Sequence, residues 1–195
     1  FDSVYRRFGM IVKVESDGFS VDCKKILTFL NDRPENIPLD KYNVDVVVDA
    51  TGAFNKKSDL EKHIKGTVKK VILTAPAKPS SAQASEGKDD EIKTIVLGVN
   101  DQEFDFENNQ IISNASCTTN CSAPMFKVVN DNFTVISGFL TTIHAMTLSQ
   151  SLLDDAGKNE GTSRAAFMNI VPSTTGAAKA VAKVIPTLVW KVDGM

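Results

Sequence analysis

The first part of the chain alternates short apolar runs with turn-forming residues, a pattern of strands rather than helices. Met10-Ile11-Val12-Lys13-Val14, then Ser16-Asp17-Gly18, then Phe19-Ser20-Val21 predicts a β-hairpin with Asp-Gly supplying the turn. Residues 26–30 predict a further strand, ended by a loop holding Asn31, Asp32, Pro34, Asn36 and Pro38. Val44-Asp45-Val46-Val47-Val48-Asp49 is β-branched and nearly continuous, which predicts a parallel strand buried on both faces. Residues 56–65 place Leu60 and Ile64 one helical turn apart among polar neighbours, so an amphipathic helix is expected there, stopped by Gly66. His63 on that helix reads as a surface histidine. Residues 68–74 give another strand, so 44–74 form a β-α-β unit with a right-handed crossover. The fold class that follows is α/β with a doubly wound parallel sheet. Ligands are expected at the carboxyl ends of its strands, here the exits Ala50-Thr51-Gly52 and Thr74-Ala75-Pro76.

Residues 76–91 lack periodicity and read as an exposed loop, and 92–99 and 111–113 as two short strands. The pattern then changes. Asn114-Ala115-Ser116-Cys117-Thr118-Thr119-Asn120-Cys121 opens a helix to about Asn130, with Met125, Val128 and Val129 as its apolar face. Residues 135–143 predict a long strand and 149–163 an extended polar loop. Residues 175–185 are Ala-rich and helix-prone until Pro186.

Composition narrows the function classes. Of 195 residues, 22 are Lys or Arg and 24 Asp or Glu, a net charge of −2 that leaves no basic excess for nucleic acid. At 42% apolar and 24% charged residues the chain has the composition of a globular protein. No apolar run approaches the ~20 residues that span a bilayer, so no membrane association is expected. Three cysteines, two of them four residues apart, fit reduced thiols and a cytoplasmic location better than a disulfide scaffold. The C-x3-C spacing of Cys117 and Cys121 has no second metal-ligating pair, so no metal is expected. The sequence begins at Phe1 without a charged-then-apolar leader, which predicts no secretory signal.

The chemistry concentrates around Cys117. A helix amino terminus lowers a thiol pKa, because free N–H groups and the dipole favour the thiolate, and the thiolate is the nucleophile. Ser116, Thr118 and Thr119 surround it with small donors suited to an oxyanion or a phosphate. His144 follows the apolar run Phe139-Leu140-Thr141-Thr142-Ile143, at a strand end facing a site. A helix-start Cys and a strand-end His form a possible nucleophile and base pair, which a thiol protease or another acyl-transfer enzyme would share. Thr175-Gly176 opens the Ala-rich helix, a second place where a dipole meets an anion.

Three ordered motifs carry a family resemblance. Ser113-Asn114-Ala115-Ser116-Cys117-Thr118-Thr119-Asn120-Cys121, then Thr141-Thr142-Ile143-His144-Ala145, then Ser173-Thr174-Thr175-Gly176-Ala177-Ala178-Lys179-Ala180-Val181 closely resemble the phosphorylating glyceraldehyde-3-phosphate dehydrogenases. Phe1-Asp2-Ser3-Val4, Asp49-Ala50-Thr51-Gly52-Ala53-Phe54 and residues 71–76 extend the resemblance over essentially the whole chain. The resemblance implies an enzyme of glycolysis that oxidises glyceraldehyde 3-phosphate with NAD and inorganic phosphate, as a homotetramer. Cys117 would be its nucleophile and His144 its base. Ser116, Thr118, Thr175 and Gly176 would bind one phosphate position and Thr147 the other, with Arg164 the remaining basic residue of the loop between. Thr51, Gly52 and Thr74 would line the cofactor cleft.

The resemblance also implies that residues 1–116 are the second part of an NAD-binding domain and 117–195 the first part of an α+β catalytic domain. The Gly-rich pyrophosphate turn would precede Phe1, and no G-x-G-x-x-G occurs in the sequence. The substrate-phosphate Arg would follow Met195. Ser149 and Thr162 stand where many members carry Asp and Arg, and Asp32-Arg33-Pro34 inverts the usual order. Two other readings are a truncated or diverged non-catalytic relative and an erythrose-4-phosphate dehydrogenase.

Overall fold

A computed structural model describes residues 8–78, 92–156 and 162–195. The expectations for residues 1–4, for most of the 76–91 loop and for 157–161 lie outside the described residues.

The chain opens as an antiparallel meander, β1 (Val12–Glu15), β2 (Gly18–Val21) and β3 (Lys24–Leu27). The first turn is Ser16-Asp17, one residue earlier than expected, and Gly18 opens β2 instead. A Cβ at Gly18 would lie 2.0 Å from the Ile26 carbonyl oxygen, so that strand pair closes only over glycine. The third strand begins at Lys24 rather than Ile26, because Asp22 and Cys23 both adopt positive φ, 44° and 72°, and reverse the chain within two residues.

The main sheet holds β4 (Val46–Asp49), β5 (Lys70–Leu73), β6 (Lys93–Thr94) and β7 (Ile111–Ser113), all parallel, in the order β4-β5-β7-β6. This is the α/β parallel sheet expected from the sequence. Its register puts Asp49, Leu73, Ser113 and Thr94 in one row, so all four strands leave the sheet along the same edge. One core cluster packs there, with Leu60, Val71 and Leu73 fully buried; each is worth roughly 1.5–3 kcal/mol relative to exposure.

Three expectations for this region need correction. Strand β4 is not buried on both faces: Val46 and Val48 are exposed, while Val47 and Asp49 face the covered side. The 56–65 helix is shorter, α1 (Lys57–Leu60), followed by a 3-10 turn over Glu61–His63 whose Ile64 N–H bonds back to the Glu61 carbonyl. That tightening rotates His63 inward, so it is buried and not a surface residue. Strand β6 is only two residues long. Beyond it buried Asn100 shapes a turn, its Oδ1 accepting from Val96 N–H and its Nδ2 donating to the Thr94 carbonyl, both at 2.9 Å.

The remainder contains α2 (Cys117–Phe133), α3 (Ala177–Val184) and a parallel pair, β8 (Gly138–Leu140) with β9 (Val192–Gly194). The long strand expected over 135–143 shrinks to β8. Helices α2 and α3 join a second core cluster with Val96, Ala115, Val181 and Leu188. The face of α2 that packs is Thr119, Ser122 and Ala123; Met125, Val128 and Val129 are exposed, contrary to expectation. Small residues allow α3 to approach α2 closely, and no described element covers the larger apolar stripe. Among the described residues, no helix is long and apolar enough to cross a membrane.

Candidate active site

Cys117 owes its position to a tight connection between β7 and α2. Ser113 Oγ, fully buried, donates to the Ala75 carbonyl at 2.7 Å and accepts from Ala115 N–H at 3.1 Å. Ala115 takes φ +57°, a left-handed conformation costing about 1 kcal/mol for a residue with a Cβ. Ser116 then caps α2, its extended backbone leaving Oγ free to accept from Thr119 N–H at 3.1 Å. Cys117 is therefore the first helical residue, exposed, at the positive end of a 17-residue helix.

His144 lies four residues beyond the end of β8 and meets the thiol from across the site. Its Nδ1 donates to the Ala145 carbonyl at 2.6 Å, which leaves Nε2 turned toward Cys117 Sγ at 3.4 Å. The contact to His144 holds the Cys117 thiol below its ordinary pKa, with smaller help from the Thr118 side chain and amide and opposed by partial burial. The carbonyl of Ala145, and then Cys117 itself, push the His144 imidazole above its ordinary value. Both shifts favour a thiolate beside an imidazolium.

Beside this pair lies a cavity of about 570 Å³ whose lining includes Thr118, His144, Thr147, Thr162 and Thr175. Thr147 Oγ1 is 2.8 Å from Ser149 Oγ, and its N–H donates to Gln150 Oε1 at 2.9 Å. Its polar groups are the His144 imidazole, hydroxyls and amides, set among apolar side chains such as Ile143 and Val171; no Lys or Arg is among the described lining residues. Gly176 is the N-cap of α3, and Thr175 Oγ1 accepts from Ala177 N–H at 3.2 Å. Arg164 does not line the cavity: its guanidinium is 3.3 Å from Asp154 in an exposed pair.

Thr51, Gly52 and Thr74 sit apart from this cavity, on the sheet edge where β4 and β5 end. Asp49 Oδ1 accepts from Thr51 N–H at 3.0 Å and from Thr51 Oγ1 at 2.8 Å. The Asp49 carbonyl accepts from Thr74 N–H at 3.0 Å and Thr74 Oγ1 at 3.2 Å. Gly52 has φ +71° with open space where a Cβ would be, so backbone is presented to the edge without a side chain. Asp49 and His63 escaped the sequence reading as site-shaping residues. The available signal was a carboxylate closing an otherwise apolar strand, since a buried charge needs partners.

Fold and site define a doubly wound α/β protein with a thiol–imidazole pair at the carboxyl edge of its parallel sheet. The family model for the glyceraldehyde 3-phosphate dehydrogenase C-terminal domain matches residues 116–195, and that for the NAD binding domain of the same enzymes matches residues 1–57. Over 195 residues the chain is 47% identical to glyceraldehyde-3-phosphate dehydrogenase 2 of Streptomyces avermitilis, 46% to the enzyme of Streptomyces coelicolor and 43% to that of Geobacillus stearothermophilus. Each match covers 100% of this chain and 55% of the relative, so the chain spans about half the length of the curated relatives it matches. The chain belongs to the glyceraldehyde-3-phosphate dehydrogenase family. Neither the non-catalytic reading nor the erythrose 4-phosphate reading is favoured by these matches.

Proposed function

We propose that the whole protein catalyses the NAD-dependent oxidative phosphorylation of glyceraldehyde 3-phosphate to 1,3-bisphosphoglycerate. The observation that carries this reading is the 3.4 Å contact between Cys117 at the start of α2 and His144, in a chain whose relatives bear that enzyme's name.

Cys117 thiolate attacks the aldehyde carbon, forming a C–S bond, and the His144 imidazolium gives its Nε2 proton to the oxygen so released from the carbonyl double bond, completing a thiohemiacetal. His144 Nε2 takes the hydroxyl proton as that adduct is oxidised, and Cys117 then holds the acyl group as a thioester. NAD, when bound, supplies the hydride acceptor. Phosphate oxygen displaces Cys117 sulfur, giving the acyl phosphate and restoring the thiolate. The edge at Thr51, Gly52 and Thr74 fits a dinucleotide, because the open space over Gly52 lets a ligand approach backbone closely and the strand exits converge there. Ser116, Thr118, Thr175 and Gly176 bind one phosphate position through hydroxyls and the start of α3, and Thr147 binds the other. Arg164 joins them only by leaving Asp154, an exposed pair worth at most about 1 kcal/mol.

Residues 1–116 belong to the NAD-binding domain and 117–195 to the catalytic domain, in a cytoplasmic homotetramer. Purified full-length protein should reduce NAD with glyceraldehyde 3-phosphate, in proportion to added phosphate, and sediment as four subunits. No NAD reduction would overturn the reading, and activity retained by Cys117→Ser would remove Cys117 as the nucleophile.

A further inference from the structure

We propose that His63 is a positioning residue for the cofactor-facing turn, acting through Asp49. The inference rests on the NAD-dependent reading of the edge formed by Thr51, Gly52 and Thr74.

The bonds that anchor Thr51 and Thr74 to the end of β4 converge on Asp49. The Asp49 side chain is fully buried, and a buried carboxylate destabilises the fold by several kcal/mol unless its oxygens are bonded. Oδ1 is saturated by Thr51, through both its N–H and its hydroxyl. Oδ2 faces His63 Nε2 at 3.1 Å. Thr51 Oγ1 in turn accepts from Ala53 N–H at 3.2 Å, so the hydroxyl passes the anchorage around Gly52. The Asp49 carbonyl secures Thr74 at the neighbouring strand exit. Asp49 thus sets Thr51 and Thr74 together, and the path of the chain through Gly52 follows.

His63 is the outer support of this arrangement. Its side chain is only 6% exposed, and Nδ1 has no hydrogen-bond partner among the described residues. Phe54 packs edge-on against the ring, centroids 6.5 Å apart, which fixes its plane but offers no bond. The polar chemistry of the imidazole is therefore spent on Asp49 alone. Without it, Oδ2 is buried and unpaired, and the carboxyl group must rotate toward water, which withdraws the Oδ1 acceptor that holds Thr51.

The test compares His63→Leu, His63→Gln and His63→Asn in the full-length protein, by amide hydrogen exchange and by equilibrium titration with NAD. In His63→Leu, exchange at Thr51 and Ala53 should accelerate at least tenfold while Val71 and Leu73 in β5 stay protected, and the NAD dissociation constant should rise about tenfold. The amide nitrogen of Gln can occupy the place of Nε2, so His63→Gln should return both quantities to within threefold of the parent. The shorter Asn cannot reach Oδ2 and should not rescue. Unchanged Thr51 exchange, or unchanged NAD affinity, in a folded His63→Leu protein overturns the inference. Should His63→Leu fail to fold, equal NAD affinities of the Gln and Asn variants overturn it. A protein that binds NAD with this pattern yet turns over no aldehyde would sink the proposed reaction and leave the inference standing.

Discussion

Cys117 and His144 are chemically ordinary side chains whose titration is moved first by each other and by the Ala145 carbonyl, with smaller help to the thiol from the Thr118 side chain and amide. The His144 contact moves the thiol below its ordinary value, and the Ala145 carbonyl with Cys117 moves the imidazole above its own, so both shifts enlarge the share of the thiolate–imidazolium pair. It is lost on the acid side as the thiol protonates, and on the alkaline side as the imidazolium deprotonates. Alkylation of Cys117 by iodoacetamide should therefore remain fast below the ordinary thiol range. In His144→Gln the inflection of rate against pH should move up to that range, and an unmoved profile would show that His144 is not the cause. Ala115 carries a different kind of residue-scale prediction. Its φ of +57° is tolerable for alanine and strained for a β-branched residue in a buried site. Ala115→Val should lower stability by about 2 kcal/mol or more in denaturant titration, whereas Ala115→Gly relieves the backbone and loses only one methyl contact.

At the scale of elements, α2 and α3 are held by small residues packed against Val181 and Leu188. Leu188 is fully buried at the centre of that cluster, so Leu188→Ala should destabilise by about 2–5 kcal/mol in the same titration. Strands β4, β5 and β7 were legible in the sequence because β-branched apolar runs have few alternatives to a parallel sheet. The starts of α2 and α3 were legible because Cys117 follows the strand Ile111-Ile112-Ser113 among small polar residues and Thr175-Gly176 precedes an Ala-rich run. Strand β9 was not, since Val192-Asp193-Gly194 offers one apolar side chain and pairs only because β8 lies beside it. His63 was misread for a related reason. A period of 3.6 residues carried through 56–65 leaves it among polar neighbours, while the 3-10 turn places it inside. Met125, Val128 and Val129 do form an apolar stripe, but periodicity identifies a face without saying what meets it. The Cys117–His144 contact was anticipated by residue type and motif; its distance and the converging role of Asp49 depend on tertiary geometry alone.

The whole molecule leaves much apolar surface uncovered. Leu30, Ile143, Leu148, Ile170 and Trp190 are almost completely exposed, and Val46 and Val48 line an open sheet face. Exposed apolar surface on this scale promotes association. With a net charge of −2 to oppose it, the 195-residue chain prepared by itself should bind a hydrophobic dye and show concentration-dependent sedimentation. A dye-silent monomer would show that these side chains find cover within the chain. The central claim, that Cys117 carries the substrate's acyl group, is tested most directly by intact-protein and peptide mass spectrometry of the full-length protein. With glyceraldehyde 3-phosphate and NAD but no phosphate, one acyl group should be found on Cys117 and should be discharged by added phosphate. No adduct, or an adduct on another residue, would contradict the account.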